Sequence, residues 1–154
     1  KACVEPRVSR VAGWGAHSQT GRDLQLQQIV TAALGLSELS FAAIRMTNAN
    51  GYWLAAEAGL DAVNLRRVRS FCARALARRE PMMVWDTQAD ARFALSPLVL
   101  SKPGIRFYAS VPLFDAAGYN VAALCVGGAN ARTNFSQIHD LVRLAHRAER
   151  YVGH

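Results

Sequence analysis

The stretch Ile105–Gly128, IRFYASVPLFDAAGYNVAALCVGG, predicts a long β-hairpin that determines the fold class. Two runs rich in Val, Phe, Tyr and Leu flank Asp115-Ala116-Ala117-Gly118, where Asp can open a turn and Gly can close it with a positive φ. Both runs are apolar on both faces, with Ile105, Phe107, Ala109, Val111 and Leu113 pointing one way and Tyr108, Pro112 and Phe114 the other. A sheet built on this hairpin must be covered on both sides. We therefore expect an α/β (α+β) domain with three layers, α/β/α.

The segments before the hairpin predict the rest of an antiparallel sheet of about five to six strands. From Asp23, a plausible N-cap, apolar residues at helical spacing predict an amphipathic helix that Gly35 ends. Residues 39–47 and 52–58 then read as two strands joined by an Asn/Gly turn. Residues 1–22 are expected to form an N-terminal extension or short helix, and 23–152 the domain itself.

The segments on either side of the hairpin predict the two helical layers. A second helix carries Val68, Cys72, Ala75 and Leu76 on one stripe and ends at Glu80-Pro81, before a short strand over 82–86. Residues 87–104 predict a long connection with a helical turn at 97–100. A last helix capped by Ser136 would bury Ile138, Leu141, Val142, Ala145, Ala148 and Val152.

Composition restricts the range of functions. The chain has 154 residues and only three cysteines, Cys3, Cys72 and Cys125, without CxxC spacing, so we expect one domain with reduced thiols in the cytoplasm and no structural metal or cofactor. No apolar run reaches the roughly 18 to 20 residues of a membrane span. The formal charge of +7 comes from scattered arginines, which predicts a solvated surface and no nucleic-acid contact. A start at Lys1 suggests a piece of a longer protein.

Several spaced motifs resemble the GAF domain, a small-molecule-sensing and regulatory module of bacterial signalling proteins. They are WLAAEAGLD (53–61), RVRSFCARAL (67–76), the set Pro81, Val84, Asp86, Asp90, Arg92, Phe93, Pro97, Leu98 and Val99, then IRFYASVPL (105–113), Gly118 and LCV (124–126). The resemblance covers about residues 23–152. Two departures stand out: Arg74 replaces a usual His, and Gly127-Gly128 replaces the Ile-Asp that commonly follows LCV. The second departure removes a carboxylate near the end of the hairpin.

The resemblance implies a ligand site between the sheet and the layer formed by residues 68–104. Its candidate wall consists of Phe71, Cys72, Trp85, Asp86, Asp90, Phe93, Phe107, Tyr108 and Cys125. An alternative is that the aromatic side chains simply fill the core. For Asp86 and Asp90 the first expectation is capping of nearby backbone amides, and the second is contact with a ligand amine.

The function indicated by this resemblance is a non-catalytic sensor or regulatory domain. Its partners would be an unidentified small molecule and a second copy of the chain, docked through the first and last helices, where Leu24 and Leu144 are expected to face outward. One alternative is a cysteine-dependent free methionine sulfoxide reductase, for which Cys72, flanked by Arg69 and Arg74, would be the reactive thiol. The other is a ligand-free GAF domain that serves dimerisation only.

Overall fold

The computed structural model describes residues 21–48, 51–61, 63–65, 67–68, 79–101 and 104–152. Nearly all of the predicted N-terminal extension lies outside these residues. So do Phe71, Cys72 and the other residues predicted to form the second half of the second helix.

The sheet has five antiparallel strands in the order β2-β1-β5-β4-β3. The strands are β1 (Phe41–Asn48), β2 (Gly51–Ala58), β3 (Met82–Val84), β4 (Phe107–Phe114) and β5 (Asn120–Gly128). The predicted central hairpin is confirmed as β4–β5. Its turn forms because Asp115 Oδ1 accepts the backbone N–H groups of Ala117 and Tyr119, at 3.0 and 2.9 Å, while Gly118 takes a φ of 88°.

Helical layers cover both faces of this sheet, as the sequence predicted. Helices α1 (Gly21–Leu34) and α3 (Ile138–Val152) pack side by side on one face. On the other face lie a helical segment at 63–65 and 67–68 and the short helix α2 (Pro97–Leu100). A 3₁₀ turn (Thr87–Ala89) lies in the connection from β3 to β4. Ser96 caps α2, because its hydroxyl accepts the Leu98 N–H, and Pro97 occupies the first turn.

Two apolar cores result, one on each face of the sheet. The helix-side core comprises Leu26, Ile29, Val30, Ala33, Ala42, Ile44, Ala56, Phe107, Ala109, Val111, Leu113, Ala122, Leu124, Val126, Phe135, Leu141, Leu144, Ala145, Ala148 and Val152. The opposite-face core comprises Phe41, Ala43, Leu54, Val68, Met82, Val84, Phe93, Leu98, Val99, Ile105, Tyr108, Ala123 and Cys125. The alternation of side chains along each strand assigns neighbouring residues to different cores.

Three predictions about individual residues were wrong. Ile105 belongs to the opposite-face core, because it precedes β4, bonds through its N–H to Leu98 O and so escapes the alternation of the strand. Asp23 lies in the first turn of α1 instead of capping it, since the helix already includes Gly21. Leu144 is only 8% exposed, because it lies three residues after Leu141 and shares its face of α3.

Candidate functional site

A cleft of ≈ 280 Å³ lies over the opposite-face core, between the start of β1, the end of β2 and helix α2. It is lined by Ser40, Phe41, Gly59, Leu60, Asp61, Val63, Asn64, Arg67, Leu98, Ser101, Gly104 and Ile105. This volume is close to the lower end of the roughly 300 to 1,000 Å³ of small-molecule sites. Its wall combines apolar side chains with hydroxyl, amide, carboxylate and guanidinium groups, so it can both bury and orient a small ligand.

Two glycines shape the walls of this cleft. Gly59 and Gly104 have φ angles of +86° and +70°, which residues with a Cβ rarely adopt. A Cβ at Gly59 would overlap Ser40 O, and one at Gly104 would overlap Ser101 O. The backbone can therefore turn tightly at both edges. After Gly59, the Asp61 carboxylate accepts the Asn64 N–H at 2.8 Å and starts the helical segment above the cleft.

Three of the sequence-predicted site residues are brought together, but inside the core. Phe93, Tyr108 and Cys125 are all fully buried in the opposite-face core, with the two ring centroids 5.9 Å apart. The Cys125 sulfur lies 3.7 Å from the Ser110 hydroxyl. None of the three lines the cleft. They support its floor, which agrees with the alternative that these side chains fill the core.

Two further candidates lie on the helix side of the sheet. Phe107 is in the helix-side core, where its ring centroid is 5.8 Å from that of Trp85 and 5.2 Å from that of Phe135. Trp85 is 38% exposed. Because Phe107 and Tyr108 are consecutive in β4, they point to opposite faces and cannot line one cavity. The sequence prediction that grouped them in a single wall was wrong on this point.

The two candidate carboxylates cap backbone amides, and this first expectation for them is confirmed. Asp86 accepts the Gln88 N–H at 3.1 Å and opens the 3₁₀ turn. Asp90 accepts the Arg92 N–H at 2.9 Å and pairs with the Arg92 guanidinium at 2.6 Å. The side-chain hydrogen bond from Arg92 lowers the pKa of Asp90 below its ordinary value of 3.8.

The remaining candidates, Phe71 and Cys72, lie outside the described residues. Whether any of the nine predicted residues contacts a ligand stays a prediction. Among the residues that the structure does describe, no group of three His, Cys, Asp or Glu side chains could hold a metal ion. In the same part of the chain, no helix has both the length and the apolarity needed to cross a membrane.

Gly127 has a packing role that explains why a glycine stands at the first of the two positions, 127 and 128, where Ile-Asp is common in the family. Phe41 of β1 pairs with Gly127 of β5, and a Cβ on Gly127 would overlap the Phe41 ring. At Gly128 the nearest atoms to a Cβ would be 3.4 Å or more away. Phe41 thus occupies the space that a side chain at 127 would need, and places its ring beside the cleft that it lines.

A second cavity was not anticipated from the sequence. It is lined by Arg45, Glu80, Met82, Ser110, Pro112, Asn120 and Ala123, and its volume is ≈ 10 Å³. Arg45 is only 2% exposed, and its Nε has no hydrogen-bond partner. The one available signal was a lone arginine in the predicted strand FAAIRMT.

A five-stranded antiparallel sheet between a two-helix layer and a layer of short helices and loops, with a cleft on the second side, defines a small three-layer α/β domain. The chain belongs to the GAF domain family, whose model matches residues 22–151. It is 34% identical over 130 residues to a cyclic di-GMP phosphodiesterase of Pseudomonas aeruginosa; the match covers 84% of this chain and 22% of that protein. The chain thus spans about a fifth of the length of this relative.

Solved structures show the same fold at low sequence identity. The GAF domain region of a Geobacter sulfurreducens protein superposes with a TM-score of 0.68 at 18% identity, covering 85% of this chain and 92% of that one. A type II free methionine-R-sulfoxide reductase of Thermoplasma acidophilum gives a TM-score of 0.68 at 11% identity, with coverages of 85% and 92%. Both likenesses concern the fold alone.

Proposed function

We propose that this chain is a cytoplasmic, ligand-sensing regulatory domain of a bacterial signal-transduction protein and has no catalytic activity of its own. The observation that carries the proposal is the ≈ 280 Å³ cleft between the sheet and the layer of short helices. Membership of the GAF domain family and the relative in Pseudomonas aeruginosa, a cyclic di-GMP phosphodiesterase, support a signalling role. Catalysis would then reside in a different part of the parent protein.

The position of the cleft supports regulation. Ser40 and Phe41 follow directly on the connection that leads out of α1, and the Ser40 N–H donates to Gly127 O at 2.7 Å in the central strand β5. A ligand that contacts Ser40 or Phe41 would therefore act on the joint between α1 and the centre of the sheet. Only a ligand that binds two arrangements of this joint with different affinity would change their populations.

A thermal-shift screen tests whether the cleft binds a ligand. The probes are amino acids, nucleotides, organic acids and cyclic di-GMP, each titrated to millimolar concentration. We expect at least one saturable rise in Tm, about 5 to 10 °C at a hundredfold excess over Kd, because binding to the native state alone stabilises it. Ser101→Phe fills the cleft and should abolish this rise, whereas Leu100→Phe, at a 63% exposed neighbour outside the lining, should retain it.

A screen without any saturable shift, or an equal shift in the Ser101→Phe variant, would contradict the sensing role of the cleft. The domain would then be better explained as a structural or dimerisation element.

Absence of catalysis is the second part of the proposal. Cys125 is fully buried beside Ser110, which leaves it without access to a substrate. We expect no reduction of free methionine sulfoxide by the isolated domain in the presence of a dithiol. Turnover that disappears in Cys72→Ser would establish the reductase alternative instead.

Self-association completes the proposal. We expect a homodimer through α1 and α3, in which Leu24, 49% exposed, provides the apolar contact and the buried Leu144 does not. Sedimentation of wild type and Leu24→Glu at micromolar concentration tests it. A wild-type domain that remains monomeric contradicts dimerisation by these residues.

A further inference from the structure

Arg45 places a positive charge inside the opposite-face layer of the domain. It lies in the middle of β1, is 2% exposed, and pairs in the sheet with Leu54 on one side and Ala123 on the other. Its Nη1 donates to Thr47 Oγ1 at 2.7 Å, while its Nε has no partner. Among the described residues, no carboxylate forms a salt bridge with it.

Such an arrangement is costly without a counterion. A buried ionised group loses its hydration, and an arginine cannot lower this cost by releasing its proton. The hydrogen bond from Nη1 to the neutral Thr47 hydroxyl cancels none of the charge, and the buried Nε–H remains unpaired. The side chain is therefore poised to receive an anion.

The second cavity provides a place for that anion. Ala123 of β5 stands between Arg45 of β1 and Pro112 of β4 in the sheet register, and its small side chain leaves space across the central strand. The cavity volume of ≈ 10 Å³ suits about one atom of the size of a water oxygen, such as a single small ion or one oxygen of a larger anion. The hydroxyl of Ser110, a residue only 5% exposed, also lines this space.

We propose that Arg45 binds a small monovalent anion, either a carboxylate group or an inorganic anion, in the cavity that it shares with Ser110 and Ala123. The Arg45 Nε–H and the Ser110 hydroxyl are its donors. Glu80, an exposed residue in the wall of the same cavity, repels an anion in proportion to its charge, so a monovalent occupant is favoured over a divalent one. This site is separate from the ≈ 280 Å³ cleft, with which it shares no lining residue.

Thermal unfolding at constant pH and ionic strength tests this site. The sodium salts of acetate, chloride and nitrate are each titrated against sodium 2-(N-morpholino)ethanesulfonate, whose anion is too large for the cavity. We expect at least one small anion to raise Tm saturably, by about 5 to 10 °C at a hundredfold excess over Kd. A response to acetate alone identifies a carboxylate site, and a response to chloride or nitrate an inorganic-anion site.

Variants connect this response to the cavity. Arg45→Met removes the charge but keeps a long apolar stem, and it should abolish the small-anion response. In the large sulfonate it should be at least as stable as wild type, because an unneutralised buried charge has been replaced. Arg147→Met, at an exposed position of α3, removes the same net charge and should leave the response unchanged.

Ala123→Val provides a second route should Arg45→Met fail to fold. The added methyl groups occupy the space beside Arg45, so the anion response should disappear although the arginine remains. A flat wild-type response to all three small anions, or an equal response in Arg45→Met, overturns the proposal and leaves a water molecule as the occupant. Neither result affects the test of the cleft, which depends on Ser101.

Discussion

The two faces of the sheet differ in polarity and in packing. On the helix side, α1 and α3 close over a core of twenty buried apolar residues among those that the structure describes. The opposite side carries both cavities described above. Of the buried polar or charged side chains in the described residues, Arg45 and Ser110 pair in the sheet with residues of the opposite-face core, and Thr87 and Ser96 lie in the connection from β3 to β4.

The two faces are therefore suited to different roles: apolar packing on the helix side, and the ligand binding that we propose on the opposite side. On the helix side, α1 and α3 bury apolar side chains, and this burial stabilises the fold in proportion to the apolar area removed from water. On the opposite side, short helices and turns are held by caps such as Asp86 and Ser96, and the cleft and the cavity beside Arg45 remain open. The small-molecule binding that we propose would therefore fall on this face, away from the helix-side core.

The largest expected effect comes from truncating one leucine on each face. Leu141→Ala in α3 should lower the free energy of unfolding by about 3 to 5 kcal/mol, because it leaves a closed cavity in the helix-side core. Leu98→Ala in α2 should cost about 2 kcal/mol, because Leu98 lines the cleft and its removal only enlarges a space that already exists. Urea titration of both variants measures the difference.

Equal losses for Leu141→Ala and Leu98→Ala would contradict the contrast between the faces. Such a result would mean that the opposite-face layer is packed as tightly as the helix layer.

A smaller loss of stability is expected at Gly127, which lies in the central strand β5. Gly127→Ala should cost about 1 to 3 kcal/mol, since the new methyl group displaces the Phe41 ring from the wall of the cleft. Gly128→Ala is the matched control and should cost less, because its methyl group meets only ordinary van der Waals neighbours. The double variant Gly127→Ala, Phe41→Leu should recover part of the loss if the clash is the cause. An unrescued loss would point instead to the strand backbone.

The smallest expected effect is the pH dependence of stability that comes from two carboxylates, Glu57 and Asp90, whose pKa values are shifted in opposite directions. Desolvation raises the pKa of Glu57 above 4.5, more than the Leu60 N–H lowers it. A group whose pKa is raised in the folded state contributes to stability below its ordinary pKa. This stability is lost as the pH rises through the folded-state pKa. Glu57→Gln should therefore gain stability relative to wild type above about pH 4.5, by less than about 1 kcal/mol since the group is partly solvated.

Asp90 supplies the control of opposite sign. Its lowered pKa means that its contribution is present above about pH 3.8 and is lost as pH falls further. Asp90→Asn should thus be less stable than wild type near neutral pH and approach it in acid. Denaturant titrations from pH 3 to pH 7 decide both cases, and parallel curves for the two variants would show that neither shift affects folding.

Local patterns predicted the elements of this fold, whereas the voids depend on residues distant in sequence. Alternation and turn chemistry were sufficient for the hairpin around Gly118 and for the short helix after Ser96. The cavity beside Arg45 exists because Ala123 happens to face it across a strand pairing, which no local pattern reveals. Phe107 was misassigned because the family resemblance was applied to consecutive residues without the alternation that separates them.

The strand order also has a consequence for the time course of synthesis. The β1–β2 hairpin is complete once Ala58 has been made, yet the partner of β1 on its other side is β5, which begins at Asn120. Because translation adds ~5 to 20 residues per second, the edge of β1 that will pair with β5 stays unpaired for several seconds. Such an edge can pair with other chains. Arg45 lies in β1, and an inward-pointing charge is one of the features that protect an unpaired strand edge from pairing with other chains.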